Sequence, residues 1–396
     1  MEYIPRQVSS SDIKDTTIDH TGVAESFIHL ATDAPDGNDD EGTGFAVGCL
    51  WIDYSNGETY TCVGSTDEAA KWTSQDGSDD VNIYPHQGES YGFSHGGSSF
   101  DPAGSPSGHV NKPTVERWSL TSDGDSADWG ELTNHPGGKA ASSSTPIAKD
   151  YGWLHGNADG TDTINRISHT SPGAATDWGN ATGTKDGDLG WSDGSTRGII
   201  AGNIGPPALD QIETYSYTSP GNATDSGFEL TAAMGNMAST EDNTNGFAVG
   251  GYSGPAMFNT IQYVAKASIA DAVDYGEASA PRAWAKGTNS KTHGFMLGGE
   301  PNGANIEKHP FSANSGSSDV AEMANQMSNQ GSKGVSSTTH GYIWGGNPGG
   351  HPTNQTDDLF KVAFDSPYGV TDVGEITSQA PGTDYAKGYG GGGTQY

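Results

Sequence analysis

The residues of this chain that could do chemistry are few, and most recur at matched places. His95 and His155 each end a Gly-aromatic segment, YGFSH and YGWLH, while His293 and His340 each open one, HGFML and HGYIW. Imidazole there could move protons or bind a metal, but recurrence at one place in a repeat is what a structural role produces. Asp186, Asp188 and Asp193 have the oxygen spacing of a Ca²⁺ loop without the twelve-residue loop that completes such a site. Cys49 and Cys62 are the only thiols, too few for zinc without further ligands nearby. Arg117, Arg166, Arg197 and Arg282 read as lying at unlike places, so a carboxylate-binding arginine cluster is not expected. Catalytic residues, metal sites and cofactors are therefore assigned as none.

What positions these residues is a phrase repeated six times. An apolar residue precedes an aspartate by thirteen positions in Val115/Asp128, Ile164/Asp177, Ile212/Asp225, Ile261/Asp274, Ile306/Asp319 and Leu359/Asp372. The copies start 49, 48, 49, 45 and 53 residues apart, a period that signals a repeat architecture. Each copy has a Gly-aromatic or Gly-apolar strand ending in small residues, then an alternating strand such as TVERWSL from Thr114, then an aspartate phrase such as ADWGEL from Ala127. Runs of this length with period-2 alternation between Gly, Ser, Asn and Pro read as short strands. Helix-length stripes are missing, with one helical turn at most over Asp319–Met327, so the expected class is all-β. The Asp of D-x-G is expected to bond its own backbone two residues on and fix a turn at the strand edge.

Strand, double Gly, strand and an aromatic-containing closing strand resemble the kelch-type repeat of β-propellers, over roughly residues 81–396. The resemblance implies a six-bladed propeller of four-stranded blades, with seven blades as the alternative. The aspartate phrase departs from that family's tryptophan-centred closing strand except at Trp129 and Trp178. The tail AKGYGGGGTQY, Ala386–Tyr396, aligns without gaps on Ala285–Phe295 and Ser332–Tyr342. Ala386–Gly391 is therefore expected to pair inside the first blade and close the ring, with Val81–Gln87 as the competing segment. Kelch-like copper oxidases need a cysteine in the propeller, and both cysteines lie outside it.

Lys and Arg total 18 against 50 Asp and Glu, a formal charge of −32. Such a surface repels phosphate backbones, so nucleic acid is not an expected partner. The longest apolar-rich run, Phe45–Ile52, is too short to span a bilayer, and MEYIPRQVSSSDIK does not read as a secretory signal.

Residues 1–80 stand apart from the repeats. Asn56-Gly57 between alternating apolar residues predicts a β-hairpin whose two-residue turn sets Ser55 opposite Glu58 and Trp51 opposite Cys62. Cys49 then sits diagonal to Cys62, which favours two reduced thiols over a strained disulfide. The pattern G-x-LW-x-D-x-SNG-x-x-Y-x-C followed by AA-x-W, at Gly48–Cys62 and Ala69–Trp72, resembles a module near the N-termini of tail-fibre and other virion proteins of tailed phages. That resemblance implies an N-terminal attachment domain, 1–80, binding other virion or tail proteins as a symmetric homo-oligomer. It implies a location in a virion assembled in host cytoplasm and released by lysis.

A binding face is expected where loops are longest. From the Gly of the GF-type pair to the next landmark the copies span 23, 12, 14, 15, 12 and 18 residues, longest in the first and last. Those loops place Phe100, His109, Lys112, His351, Asn354 and Gln355 in one patch suited to a neutral host-surface glycan. The expected function is a non-enzymatic tail-fibre or tail-tip component displaying a propeller for host recognition. Its alternatives are a capsid decoration or fibre protein without a receptor role, and a glycan-active propeller enzyme.

Overall fold

The computed structural model describes residues 28–31, 34–35, 39, 44–53, 58–66, 69–74, 80–81, 87–96, 98–100, 109–111, 113–133, 143–148, 150–155, 162–194, 196–205, 207–254, 256–301, 303–323, 327, 332–346, 356–376 and 392–395. Among the described residues every regular element is a β-strand, and no helix is long and apolar enough to cross a membrane. Ser318–Glu322 is a strand, where the sequence allowed one helical turn. The chain forms two compact units, Met1–Ile83 and Tyr84–Tyr396. Asp80–Val81 pairs with Ala69–Ser74 in the first unit, and residues 82–86 of the competing segment Val81–Gln87 lie outside the described residues.

The first unit is one five-stranded sheet. Its strands alternate, and Trp51, Tyr60, Cys62, Ala70 and Trp72 fall on one buried face with Phe45 over them. The expected hairpin is present with a different register. Trp51 pairs with Tyr60 and Asp53 with Glu58, so the connection is longer than the two residues Asn56-Gly57. This places Cys49 directly opposite Cys62, whose N–H donates to the Cys49 carbonyl at 2.9 Å. Both cysteines are free thiols; Cys49 Sγ accepts from Ala46 N–H, and burial raises the Cys62 pKa.

The second unit contains six four-stranded antiparallel sheets, an arrangement compatible with a β-propeller-like fold. The fourth is representative: Ala238–Glu241, Asn245–Val249, Thr260–Ala265 and Val273–Glu277 in spatial order. The first sheet is discontinuous. Tyr91–His95, Thr114–Ser119 and Ala127–Glu131 are joined by Gly392–Gln395, from the other end of the chain, beside Tyr91–His95. The tail pairs inside the first sheet, but through Gly392–Gln395; Ala386–Gly391 lies outside the described residues. A matched threonine marks the register. Opposite Phe93 stands Thr394, where the second, fourth and fifth sheets have Thr145, Thr240 and Thr288, and the aligned alternative would set Tyr389 there. A Cβ on the preceding Gly393 would lie 2.6 Å from the Trp344 ring.

The aspartate phrase forms a β-bulge within the outer strand, not a turn at its edge. Asp274 faces Gln262 and Gly276 faces Ile261, leaving Tyr275 as the extra residue. The expected local bond appears at Gly227, Gly276 and Gly374, whose N–H groups donate to Asp225, Asp274 and Asp372. At Gly130, Gly179, Gly276 and Gly374 the next sheet comes close, and a Cβ on Gly130 would sit 1.9 Å from the Gly173 carbonyl oxygen. The fifth copy keeps the bulge with Ala321 in the glycine place. Backbone bonds cross the approaches from the first, second, third and fourth sheets, as in Gly173 N to Trp129 O and Gly221 N to Trp178 O, both 2.8 Å. The same crossing joins the last sheet to the first through Ser126 N to Glu375 O at 2.9 Å. Those two sheets also share a core of Trp118, Val335, Tyr342, Trp344, Leu359 and Val373.

Candidate functional site

The expected patch is only partly visible. The first-copy insertion contains a two-stranded ribbon, Ser98–Phe100 with His109–Asn111, in which Phe100 and His109 are directly paired. Lys112, His351, Asn354 and Gln355 lie outside the described residues. The bases of both insertions are ordered by backbone bonds, Gly96 N to Thr114 O and Gly345 N to Asp358 O, each 3.0 Å. Their sheets are neighbours: Lys361 Nζ lies 2.9 Å from Asp123, and the Trp118 and Trp344 rings are 5.2 Å apart.

A second constellation escaped the sequence reading. The residue after each apolar landmark is buried and mostly polar: Glu116, Asn165, Glu213, Gln262, Glu307, and in the sixth sheet Phe360. In the second to fifth sheets it receives hydrogen bonds from the segment that follows the preceding sheet's outer strand, while Glu116 accepts from Ser126. Thr133 Oγ1 donates to Asn165 at 2.8 Å, Thr182 N–H to Glu213 at 2.9 Å, Thr231 N–H to Gln262 at 2.8 Å and Ser279 N–H to Glu307 at 3.0 Å. A second contact matches the chemistry of the first. Glu213 pairs with Lys185, Glu307 with Arg282, Gln262 Nε2 with Met234 Sδ at 3.7 Å, and Phe360 shares a core with Met327. The signal was available in the sequence, in the types at these two spacings, but it shows only once junction partners are known.

The sheets carry further buried polar groups. Glu241 binds both Lys333 and Lys266, the latter at 3.2 Å, and accepts from Ser192 N–H at 3.1 Å. Burial pushes the Lys333 ammonium down to about 8 despite that carboxylate, and Lys266 down as well. Lys286 Nζ lies 4.3 Å from the centroid of the Trp344 ring, and desolvation lowers it to about 7. His155 Nδ1 meets Asp188 at 2.5 Å, a buried pair. His309 Nε2 and Thr240 Oγ1 are 2.9 Å apart, and desolvation takes that imidazole down to about 3. His293 and His340 are held alike: their backbone N–H groups donate to Ser290 and Ser337 Oγ, both at 3.0 Å, and each ring Nδ1 lies 2.8 Å from the hydroxyl of Thr292 or Thr339. Asp193 caps the turn at Thr196 and Arg197 while Asp188 holds His155, so the three aspartates do not converge.

The arginines correct one expectation. Arg117 and Arg166 occupy the same place, two residues after Val115 and Ile164, on adjacent sheets. No family model matches the sequence, and no curated protein is similar to it.

Proposed function

We propose that the chain is a non-enzymatic structural component of a tailed-phage virion. Its N-terminal unit attaches to other virion proteins as a symmetric oligomer, and its repeats form a closed six-bladed kelch-like propeller displayed at the tail for recognition of a host-surface glycan. The observation that carries the display reading is that the two longest insertions belong to the first and sixth sheets, which touch each other. Insertions far apart in the chain thereby spring from neighbouring sheets, and loops on a rigid scaffold are favoured binding elements. The virion reading rests on the Gly48–Cys62 and Ala69–Trp72 pattern.

The carboxylates argue for a scaffold over a glycan-active enzyme. Glu213, Glu241 and Glu307 are buried and bound to cations. Hydrolysis of a glycosidic bond needs two carboxyls that flank an accessible bond. Fractionating particles into capsid and tail and probing each for the chain tests the reading. Co-purification with tails is expected; co-purification with capsids alone would replace it by the decoration reading, and absence from particles would remove it.

A further inference from the structure

Two of the four repeat arginines are used up by the fold and two are not. Arg282 is buried on Glu307 and donates to the Gly298 carbonyl at 3.2 Å. Arg197 lies beside Asp193 and donates to the carbonyls of Lys266 and Ala267 at 2.7 and 2.9 Å. Arg117 and Arg166 have no hydrogen-bond or ion-pair partner among the described residues, in a chain with 50 acidic side chains. Each is instead held between two rings. The Arg117 guanidinium carbon is 4.2 Å from the Tyr91 centroid and 3.9 Å from that of Trp129. Arg166 is 4.2 Å from both Tyr151 and Trp178.

The clamps are rigid. Trp129 Nε1 donates to Ser168 O and Trp178 Nε1 to Ser216 O, each at 2.7 Å and each on the next sheet, which fixes the ring plane. A guanidinium with rings on both sides keeps its N–H edge for hydrogen bonding, and the fork fits two oxygens of one oxyanion. Both arginines are half-buried, so that edge remains within reach of solvent. Holding the fork in advance removes most of the rotamer entropy that a free arginine loses on binding.

The geometry points to Arg117 and Arg166 as two matched oxyanion sites, one on each of the first two sheets, for a polymer with sparsely spaced carboxylates or sulfates: an acidic polysaccharide. The same place holds Thr214 in the third sheet and Tyr263 in the fourth, and in the fifth and sixth it holds Lys308 and Lys361, which are engaged by the Tyr368 hydroxyl and by Asp123. Two cations against a net charge of −32 cannot hold a nucleic acid with a phosphate on every nucleotide. The clamps lie away from the insertion rim, because Tyr91 and Tyr151 begin strands whose far ends, His95 and His155, lead into the insertions. This site is therefore independent of the proposed receptor patch.

Salt dependence separates this site from a generic basic patch. The contact is short range while the opposing net charge acts at long range. Raising salt from about 0.05 M to about 0.5 M shrinks the screening length to a few ångströms and weakens the repulsion. Affinity should therefore hold or rise, where a basic patch would lose it.

The test titrates the full chain with a hyaluronan oligosaccharide, with one carboxylate per disaccharide, a κ-carrageenan oligosaccharide, with one sulfate per disaccharide, and a neutral agaro-oligosaccharide. Binding of the carboxylated or the sulfated probe without the neutral one is expected, and the arm that binds identifies the oxyanion. R117K and R166K keep a cation at the rings but lose the fork, and each should weaken binding roughly tenfold. R117K/R166K should weaken it further, with melting temperatures reporting that the sheets remain folded. Failure to bind either acidic probe, equal binding of the neutral one, or affinity of R117K/R166K within twofold of the parent would overturn the proposal.

Discussion

Lys185 and Glu213 form a buried ion pair across the junction of the second and third sheets, and the next junction holds Met234 and Gln262 at the same two places. Transplanting one pair onto the other is a direct perturbation of this pattern. Lys185→Met alone leaves Glu213 as a buried carboxylate with the Thr182 N–H and hydroxyl at 2.9 and 2.5 Å. Glu213→Gln alone leaves the Lys185 ammonium buried without its counter-ion. Removing one partner of a buried pair costs about 3–5 kcal/mol, whereas replacing both with well-packed neutral groups is often close to neutral. Each single variant should therefore lose about 3 kcal/mol or more, and Lys185→Met/Glu213→Gln should lie within about 1 kcal/mol of the parent. The coupling energy should then exceed about 2 kcal/mol in a double-mutant cycle built from urea unfolding curves. A coupling below about 0.5 kcal/mol would show that the two places are not matched to each other.

Three further outcomes follow from the same packing. The unfolded state protonates His309 near the ordinary histidine pKa of about 6.5, while the folded state keeps it neutral down to about 3. Stability is thus lost as pH falls from about 6.5 toward 3, by up to about 5 kcal/mol from this one group. His309→Val, which copies Val264 and Val362 at the same place, should flatten the urea midpoint between pH 7 and 4; an unchanged slope refutes the assignment. Lys286 works in the alkaline range: its folded pKa of about 7 lies below the ordinary value of 10.5, so its cost is complete below pH 7 and disappears as pH rises to 10.5. Lys286→Met should raise the thermal midpoint at pH 7 and give little gain near pH 10.5, and a gain equal at both pH values would contradict this. Deleting residues 392–396 removes the strand beside Tyr91–His95 and the Thr394 partner of His169, 3.0 Å away. A lower melting temperature is expected, and an unchanged one would mean that the strand does not hold the first sheet.

The repeat was legible because its landmarks are steric necessities. The apolar residue thirteen before each aspartate is buried in every sheet, and in four copies the glycine two after the aspartate sits where a neighbouring backbone comes within contact distance. Register was less legible. Asn56-Gly57 is a strong turn signal, yet the pairing of Trp51 with Tyr60 and the ring cluster of Phe45, Trp51 and Trp72 sets the strands two residues away from it. Glycine-rich sequence also slides freely in an alignment, so the closing strand was misplaced until packing around Thr394 and Gly393 fixed it. The buried polar row at Glu116, Asn165, Glu213, Gln262 and Glu307 was hidden because strand alternation gives no reason to expect a carboxylate beside each core residue. Its partners come from another sheet. The equivalence of Arg117 and Arg166 was present in the spacing and became evident when both proved to be held by the same pair of rings.

On the proposed function, the insertions of the first and sixth sheets are what meets the host surface. Replacing residues 97–112 and 347–356 with four-residue turns, in particles that still incorporate the chain at parental levels, tests it most directly. Adsorption to host cells should fall to background while particle yield and the melting temperature of the purified chain are unchanged. Parental adsorption by those particles would contradict the claim and leave a structural protein without a receptor role.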